Sequence, residues 1–138
     1  MRKPKAIVLD SWAVMAFLED EPAGERVANI LADANDEGVP LLMSIINVGE
    51  VWYIVARRTS PAEADRTTQM LEQIGVRFID AERKLTRAAA VFKAKGKISY
   101  ADAFAAALTA QHKARLLTGD REFEQFESVV DIEWLQVH

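Results

Sequence analysis

Short apolar runs alternate with stretches of helical periodicity along this chain, and that alternation narrows the folds open to it. Ile7, Val8 and Leu9 follow a basic start and stop at Asp10; Val14, Phe17 and Leu18 then recur at helical spacing, with Ser11 placed to begin the turn. An acidic break, Glu19-Asp20-Glu21-Pro22, opens a second helix that carries Val27, Ile30, Leu31 and Ala34 on one face and ends at Gly38. Val39 to Met43 reads as a second strand, and Ser44 caps a third helix running to about Arg58. Ser60-Pro61 starts a fourth helix, with Glu63 in capping-box position and Gly75 as its stop; Val76 to Ile79 is a third strand. A fifth helix from about Glu82 closes on Lys93-Ala94-Lys95-Gly96-Lys97, and Ser99 starts an alanine-rich sixth, Tyr100 to about Lys113. Arg115 to Thr118 is a fourth strand, Gly119-Asp120 a turn, Phe123 to Phe126 weakly helical, and Val129 to Leu135 holds a last strand. The expectation is one α/β domain over residues 1–138, with a doubly wound, mostly parallel five-stranded sheet flanked by helices.

Such a sheet points all its strand carboxyl ends to one rim, where open α/β sheets place their ligands. Asp10 closes the first strand there and Asp120 follows the fourth. Glu50 lies in the first two turns of the helix leaving the second strand. Asp102 opens the helix that must run away from the rim to feed the fourth strand. Taken singly, three of these acids have ordinary explanations: Asp10 as a helix cap, Asp102 as the partner of Ser99 in a capping box, Asp120 as a turn residue. Glu50 resists that treatment, because its helix is otherwise clad in Ile45, Ile46, Val48, Val51, Trp52, Ile54 and Val55, where an unpaired carboxylate is costly to bury. Together the four repel one another unless a cation sits among them, and hard oxygen ligands select Mg²⁺ or Mn²⁺.

Other chemistries are poorly supplied. The chain has no cysteine, so thiolate catalysis and zinc–sulfur sites are excluded. Its two histidines, His112 and His138, are not placed near the rim, which argues against a two-histidine ribonuclease mechanism. No glycine-rich phosphate loop is present. A net charge of −4 is not the footprint of a protein that coats nucleic acid through bulk charge. The start of the chain lacks a signal-peptide core and no stretch is long enough to span a membrane, so the expectation is a soluble, cytoplasmic protein.

The motifs Leu9-Asp10-Ser11, Asn47-Val48-Gly49-Glu50-Val51, Ser99-Tyr100-Ala101-Asp102-Ala103 and Thr118-Gly119-Asp120-Arg121-Glu122-Phe123 resemble, in order and spacing, the acidic motifs of PIN domains. Within that group the chain is most similar to VapC toxins of bacterial toxin–antitoxin pairs. The resemblance implies a metal-dependent ribonuclease, held inactive by a cognate VapB antitoxin and commonly a homodimer. It implies Asp10, Glu50, Asp102 and Asp120 as the catalytic and metal-binding acids, Ser11 and Thr118 as supporting hydroxyls, and Asn47 as a contact to substrate or to the acids. Trp12 departs from the pattern, standing where many relatives carry a small polar residue. The chemistry suited to such a site is hydrolysis of RNA by a metal-activated water, leaving a 5′-phosphate rather than a cyclic phosphate.

Two other readings stay open on the sequence. One is a phosphoacceptor or signalling domain with an acidic Mg²⁺ pocket, which would need a lysine at the rim and gives Glu50 no role. The other is a catalytically inactive PIN-like module that holds a basic partner. Lys93, Lys95 and Lys97, just ahead of the helix bearing Asp102, are candidates to line the approach of RNA; their alternative role is to answer the helix dipole. Trp12, Trp52 and Tyr53, with apolar neighbours, read as core or interface.

Overall fold

The computed structural model describes residues 3–19 and 22–135, so Asp20 and Glu21 of the acidic break and His138 lie outside the described residues. In chain order the elements are β1 (Ile7–Leu9), α1 (Ser11–Leu18), α2 (Pro22–Glu37), β2 (Leu41–Ser44), α3 (Ile45–Arg58) and α4 (Pro61–Gln73), followed by β3 (Val76–Ile79), α5 (Arg83–Lys95), α6 (Tyr100–Gln111), β4 (Arg115–Thr118), a 3₁₀ helix over Arg121–Phe126 and β5 (Ile132–Trp134). The strands form one sheet in the order β3-β2-β1-β4-β5, and every pairing is parallel. No helix among the described residues is long and apolar enough to cross a membrane.

Side chains alternate across each strand and so build two cores. Ile7, Leu9, Leu41, Met43 and Leu117 face Val14, Val27, Leu31, Val48, Val51 and Leu71 on one side. Val8, Leu42 and Leu116 face Leu85, Ala89, Phe104, Leu108 and Phe123 on the other. The alanines of α6 explain how that second layer closes. Ala103, Ala105, Ala106 and Ala107 are all buried, and their small side chains let the helix lie flat against the sheet.

Several boundaries differ from expectation, each for a local reason. β2 starts at Leu41 rather than Val39, because the Val39 amide is donated to Ala34 O at 2.8 Å in the turn that ends α2. That turn passes through Gly38 at φ 71°, where glycine escapes the Cβ clash. α6 stops at Gln111, not Lys113. Lys113 takes φ 49° and the Ala114 amide reaches back to Thr109 O at 2.9 Å, the left-handed exit that ends a helix. The weak helix expected at Phe123 begins at Arg121 as a 3₁₀ turn, since Asp120 Oδ1 accepts from the Glu122 amide at 3.0 Å. β5 lies within the run from Val129 to Leu135 and starts only at Ile132, because the Val129 and Val130 amides are donated to Phe126 O at 3.0 and 2.9 Å.

Successive connections step outward from β1 to β2 and β3, whereas β4 and β5 lie on its other side. The direction of winding therefore reverses between β1 and β4, where helices on opposite faces leave a crevice at the carboxyl ends. Leu9 is in register with Leu117, which sets Asp10 beside Thr118 at that crevice.

Candidate functional site

Asp10 is wholly buried at the end of β1. It caps α1, accepting from the Ala13 amide at 2.8 Å, and also accepts a hydrogen bond from the Thr118 hydroxyl. Cap and cluster member are thus one residue. Thr118 Oγ1 in turn accepts from the Asp120 amide at 3.0 Å, so this single hydroxyl ties the β1 acid to the β4 turn. Glu50 reaches in from α3, half-buried rather than enclosed, and accepts from the Ser11 hydroxyl. Asn47, fully buried, donates Nδ2 to Ala101 O at 3.1 Å and to Ser11 Oγ at 3.5 Å. It therefore holds together the helices that carry Glu50 and Asp102 and the start of α1.

Asp102 shows which half of a capping box forms. Ser99 Oγ accepts from the Asp102 amide at 3.1 Å, but the carboxylate makes no hydrogen bond back to the Ser99 amide. Instead, carboxylate oxygens of Asp102, Asp120 and Glu122 all lie within 4.8 Å of one another. Glu122 was not singled out from the sequence, although it stands inside the motif that ends in Phe123. Its position follows from the 3₁₀ turn that Asp120 caps, which the sequence signalled only weakly.

The electrostatics follow from this crowding. Burial pushes the Asp10 carboxyl up to about 7; the bonds from Thr118 and Ala13 pull against it, and the charges of Asp120 and Glu50 add to it. Burial likewise drives Asp102 up to about 8, reinforced by Asp10, Asp120 and Glu50 and eased by the Ser99 hydroxyl. Carboxylates that resist joint ionisation, with no thiol or imidazole among them, form a donor set suited to a hard divalent cation. Asn47 Oδ1, buried without a hydrogen-bond partner, is one more acceptor in this acceptor-rich layer.

A groove of about 380 Å³ opens over the acids, lined by Ser11, Trp12, Glu50, Ile54, Asp102 and Asp120 among others. Arg58, paired with Glu19, also lines the groove. Trp12 lies over Gly119 so closely that a Cβ there would sit 2.4 Å from its ring, so the glycine is what lets the indole rest on the turn ahead of Asp120. Trp52 packs on the core and donates its Nε1 to Asp65 at 2.9 Å, and Tyr53 is exposed beside Arg57. His112 is exposed at the far end of α6. Lys93, Lys95 and Lys97 are exposed and none of them lines the groove; Lys93 Nζ is donated to Ile98 O at 2.7 Å. No lysine lines it among the described residues.

A wholly parallel sheet with an acid cluster at its switch point places the chain among α/β domains that gather carboxylates at one rim. The sequence profile of the PIN domain matches residues 7–128, and the chain belongs to that family. None of the curated proteins matches it by sequence. Among solved structures it is similar to VapBC2 of Rickettsia felis bound to a promoter DNA fragment, with a TM-score of 0.72, 16% identity, and coverage of 95% of this chain and 99% of that one. It is also similar to Mycobacterium tuberculosis VapC20, a toxin that cleaves the sarcin-ricin loop (TM-score 0.70, 17% identity, 88% and 95% coverage). A third similar structure is FitAcB of Neisseria gonorrhoeae (TM-score 0.67, 23% identity, 91% and 95% coverage).

Proposed function

We propose that this chain is a ribonuclease dependent on Mg²⁺ or Mn²⁺, acting as the toxin of a VapBC-type toxin–antitoxin pair in the cytoplasm. The observation that carries the reading is the meeting of Asp10, Glu50, Asp102 and Asp120 at one crevice, with Asp10 and Asp102 pushed towards neutrality by burial and by neighbouring carboxylates. Family membership and the likeness of fold to VapC20, itself an RNA-cleaving toxin, support it.

In this reading Asp102 and Asp120, with Glu122 beside them, hold the cation, and Asp10 and Glu50 complete its surroundings. When bound, the cation neutralises the scissile phosphate and lowers the pKa of the attacking water. The protein's own residues supply the rest. Thr118 keeps Asp10 and Asp120 at a fixed separation, Ser11 orients Glu50, and Asn47 locks α3 to α6 so that the acids do not spread under their repulsion. Arg58 is the one cation lining the groove among the described residues and is suited to a flanking phosphate of the substrate. The proposed partners are an RNA substrate, a VapB-type antitoxin that places a basic side chain into the acid rim, and a second copy of the chain. Lys95 and Lys97 are candidate phosphate contacts outside the groove.

Incubating the protein with total RNA, with Mn²⁺ or with chelator, tests the reading. Cleavage that needs the metal and leaves 5′-phosphate ends is expected. Cleavage that survives chelation, or that leaves cyclic phosphates, overturns it.

A further inference from the structure

Asp10 and Asp120 follow paired strands, but Asp102 lies on a helix that no strand pairing ties to the turn after β4. Asp102 rides on the first turn of α6, behind the loop that ends α5, while Asp120 and Glu122 belong to the turn after β4. Fixing one against the other needs a direct tie, and the structure supplies one in a residue outside every acidic motif. Gln125 Oε1 accepts from the Lys97 amide at 3.0 Å, and its Nε2 donates to Lys97 O at 3.0 Å and to Glu122 O at 2.7 Å. One carboxamide thus takes both backbone groups of Lys97, as a neighbouring strand would, and joins them to the residue carrying the third carboxylate. Lys97 stands two residues before Ser99, whose hydroxyl receives the Asp102 amide.

A second, independent feature concerns Gly96. Its φ of −138° is open to any residue, so glycine is not there for its conformation. A Cβ at that position would lie 2.3 Å from Gln125 Oε1 and 2.7 Å from Phe126 Cζ. The glycine makes room for the Gln125 carboxamide to close on the loop. Lys93 holds the same loop from its other end through Ile98 O.

We propose that Gln125 is a positioning residue that sets the spacing of Asp102 from Asp120 and Glu122, and through it the affinity of the site for a divalent cation. This rests on reading the acids as a cation site. Removing a group that hydrogen-bonds a metal ligand directly typically costs about 10–100-fold in metal affinity; Gln125 acts on the backbone beside the acids, which puts its effect at the lower end.

Calorimetric titration of Mn²⁺ into four proteins, with melts of each in chelator, tests the clamp: the parent, Asp102→Asn, Gln125→Leu and Asn35→Leu. Asn35 makes a comparable side-chain tie, Nδ2 to Ile74 O at 3.0 Å, over another glycine, Gly75, away from the acids. Gln125→Leu is expected to weaken Mn²⁺ binding about tenfold and to raise the Mn²⁺ concentration for half-maximal RNA cleavage by the same factor, with the rate at saturating Mn²⁺ held within about threefold. Asn35→Leu is expected to lower the melting temperature as much as Gln125→Leu does, yet leave the affinity within about twofold. Gly96→Ala, which forces the carboxamide outward, should act in the same direction as Gln125→Leu and replaces it should that variant fail to fold. If Asp102→Asn loses Mn²⁺ binding while Gln125→Leu binds like the parent, the clamp is overturned and the cation site stands. Equal weakening in Asn35→Leu overturns it too, because the effect is then one of general stability. If the parent binds no Mn²⁺, or Asp102→Asn binds it equally well, the cation-site reading itself falls and takes the clamp with it.

Discussion

At the start of α4 the Ser60 hydroxyl accepts the Glu63 amide at 3.1 Å, and at the start of α6 the Ser99 hydroxyl accepts the Asp102 amide at the same distance. Serine followed three residues later by an acid has built the same backbone turn twice. Beyond that turn the two part. Glu63 swings outward and pairs with Arg66 at 2.6 Å, one turn along its own helix and in solvent. Asp102 turns inward, towards Asp120 and Glu122, and is driven up to about 8. In neither helix does the acid complete the box by bonding back to the serine amide. The motif fixes the first turn of a helix; what lies across from it decides what the carboxylate does. α4 starts against solvent, whereas α6 starts at the crevice where the direction of winding reverses.

The widest separation between the two positions is expected in catalysis. Asp102→Asn should lower the initial rate of RNA cleavage at saturating Mn²⁺ by about a hundredfold or more, as when electrostatic support of a transition state is lost. Glu63→Gln should stay within about twofold. A loss of comparable size in Glu63→Gln would mean that the assay is reading folding, and the comparison would collapse.

The pH dependence of the metal-free protein sharpens the contrast. Asp10 and Asp102 ordinarily titrate near 3.8, but in the folded chain they do so at about 7 and about 8. The folded state therefore holds protons that the unfolded chain has released, and stability falls as pH rises between these limits. In chelator, the melting temperature should drop by about 5 °C or more from pH 5 to pH 8.5. Asp102→Asn should flatten that slope and melt higher than the parent at pH 8.5, while Glu63→Gln should reproduce the parent's slope. A parent whose melting temperature climbs with pH would place the acids apart.

The smallest effect belongs to the shared half of the motif. Ser60→Ala and Ser99→Ala each remove one cap and should each cost about 1 kcal/mol, read from denaturant melts in chelator at pH 5. A clear inequality there would show that the caps themselves, and not only their surroundings, differ.

Much of this was legible in the residues. Strands that stop at Asp10 and Thr118, and helices that start at Ser44 and Ser99, mark the rim because a change of hydrophobic period is a local signal. The alternation of short strands with helices was enough to foresee a parallel sheet, and the structure makes it wholly parallel. Other features left no such trace. Gln125 acts on backbone atoms 28 residues away, and backbone atoms have no sequence identity to match; Asn47 stood in a recognisable motif, but its bond to the Ala101 carbonyl 54 residues on did not. Whether Asp102 would turn to Ser99 or to Asp120 depends on a side-chain torsion that no spacing encodes. β2 begins two residues into its apolar run because Val39, though β-branched and apolar, gives its amide to the exit of α2.

The pairing of β1 with β4 has a consequence in time. The bond from Thr118 to Asp10 closes a span of 108 residues, and contacts so distant along the chain are slow to form because the intervening loop must first lose its freedom. While a ribosome is making this protein, Asp10, Glu50 and Asp102 emerge first, yet the side of the rim opposite them is missing until β4 and the turn after it have been synthesised. Every shorter nascent chain lacks Asp120, Glu122 and the Thr118 tie. The acid rim is assembled late in synthesis, and a chain released before β4 carries no complete site.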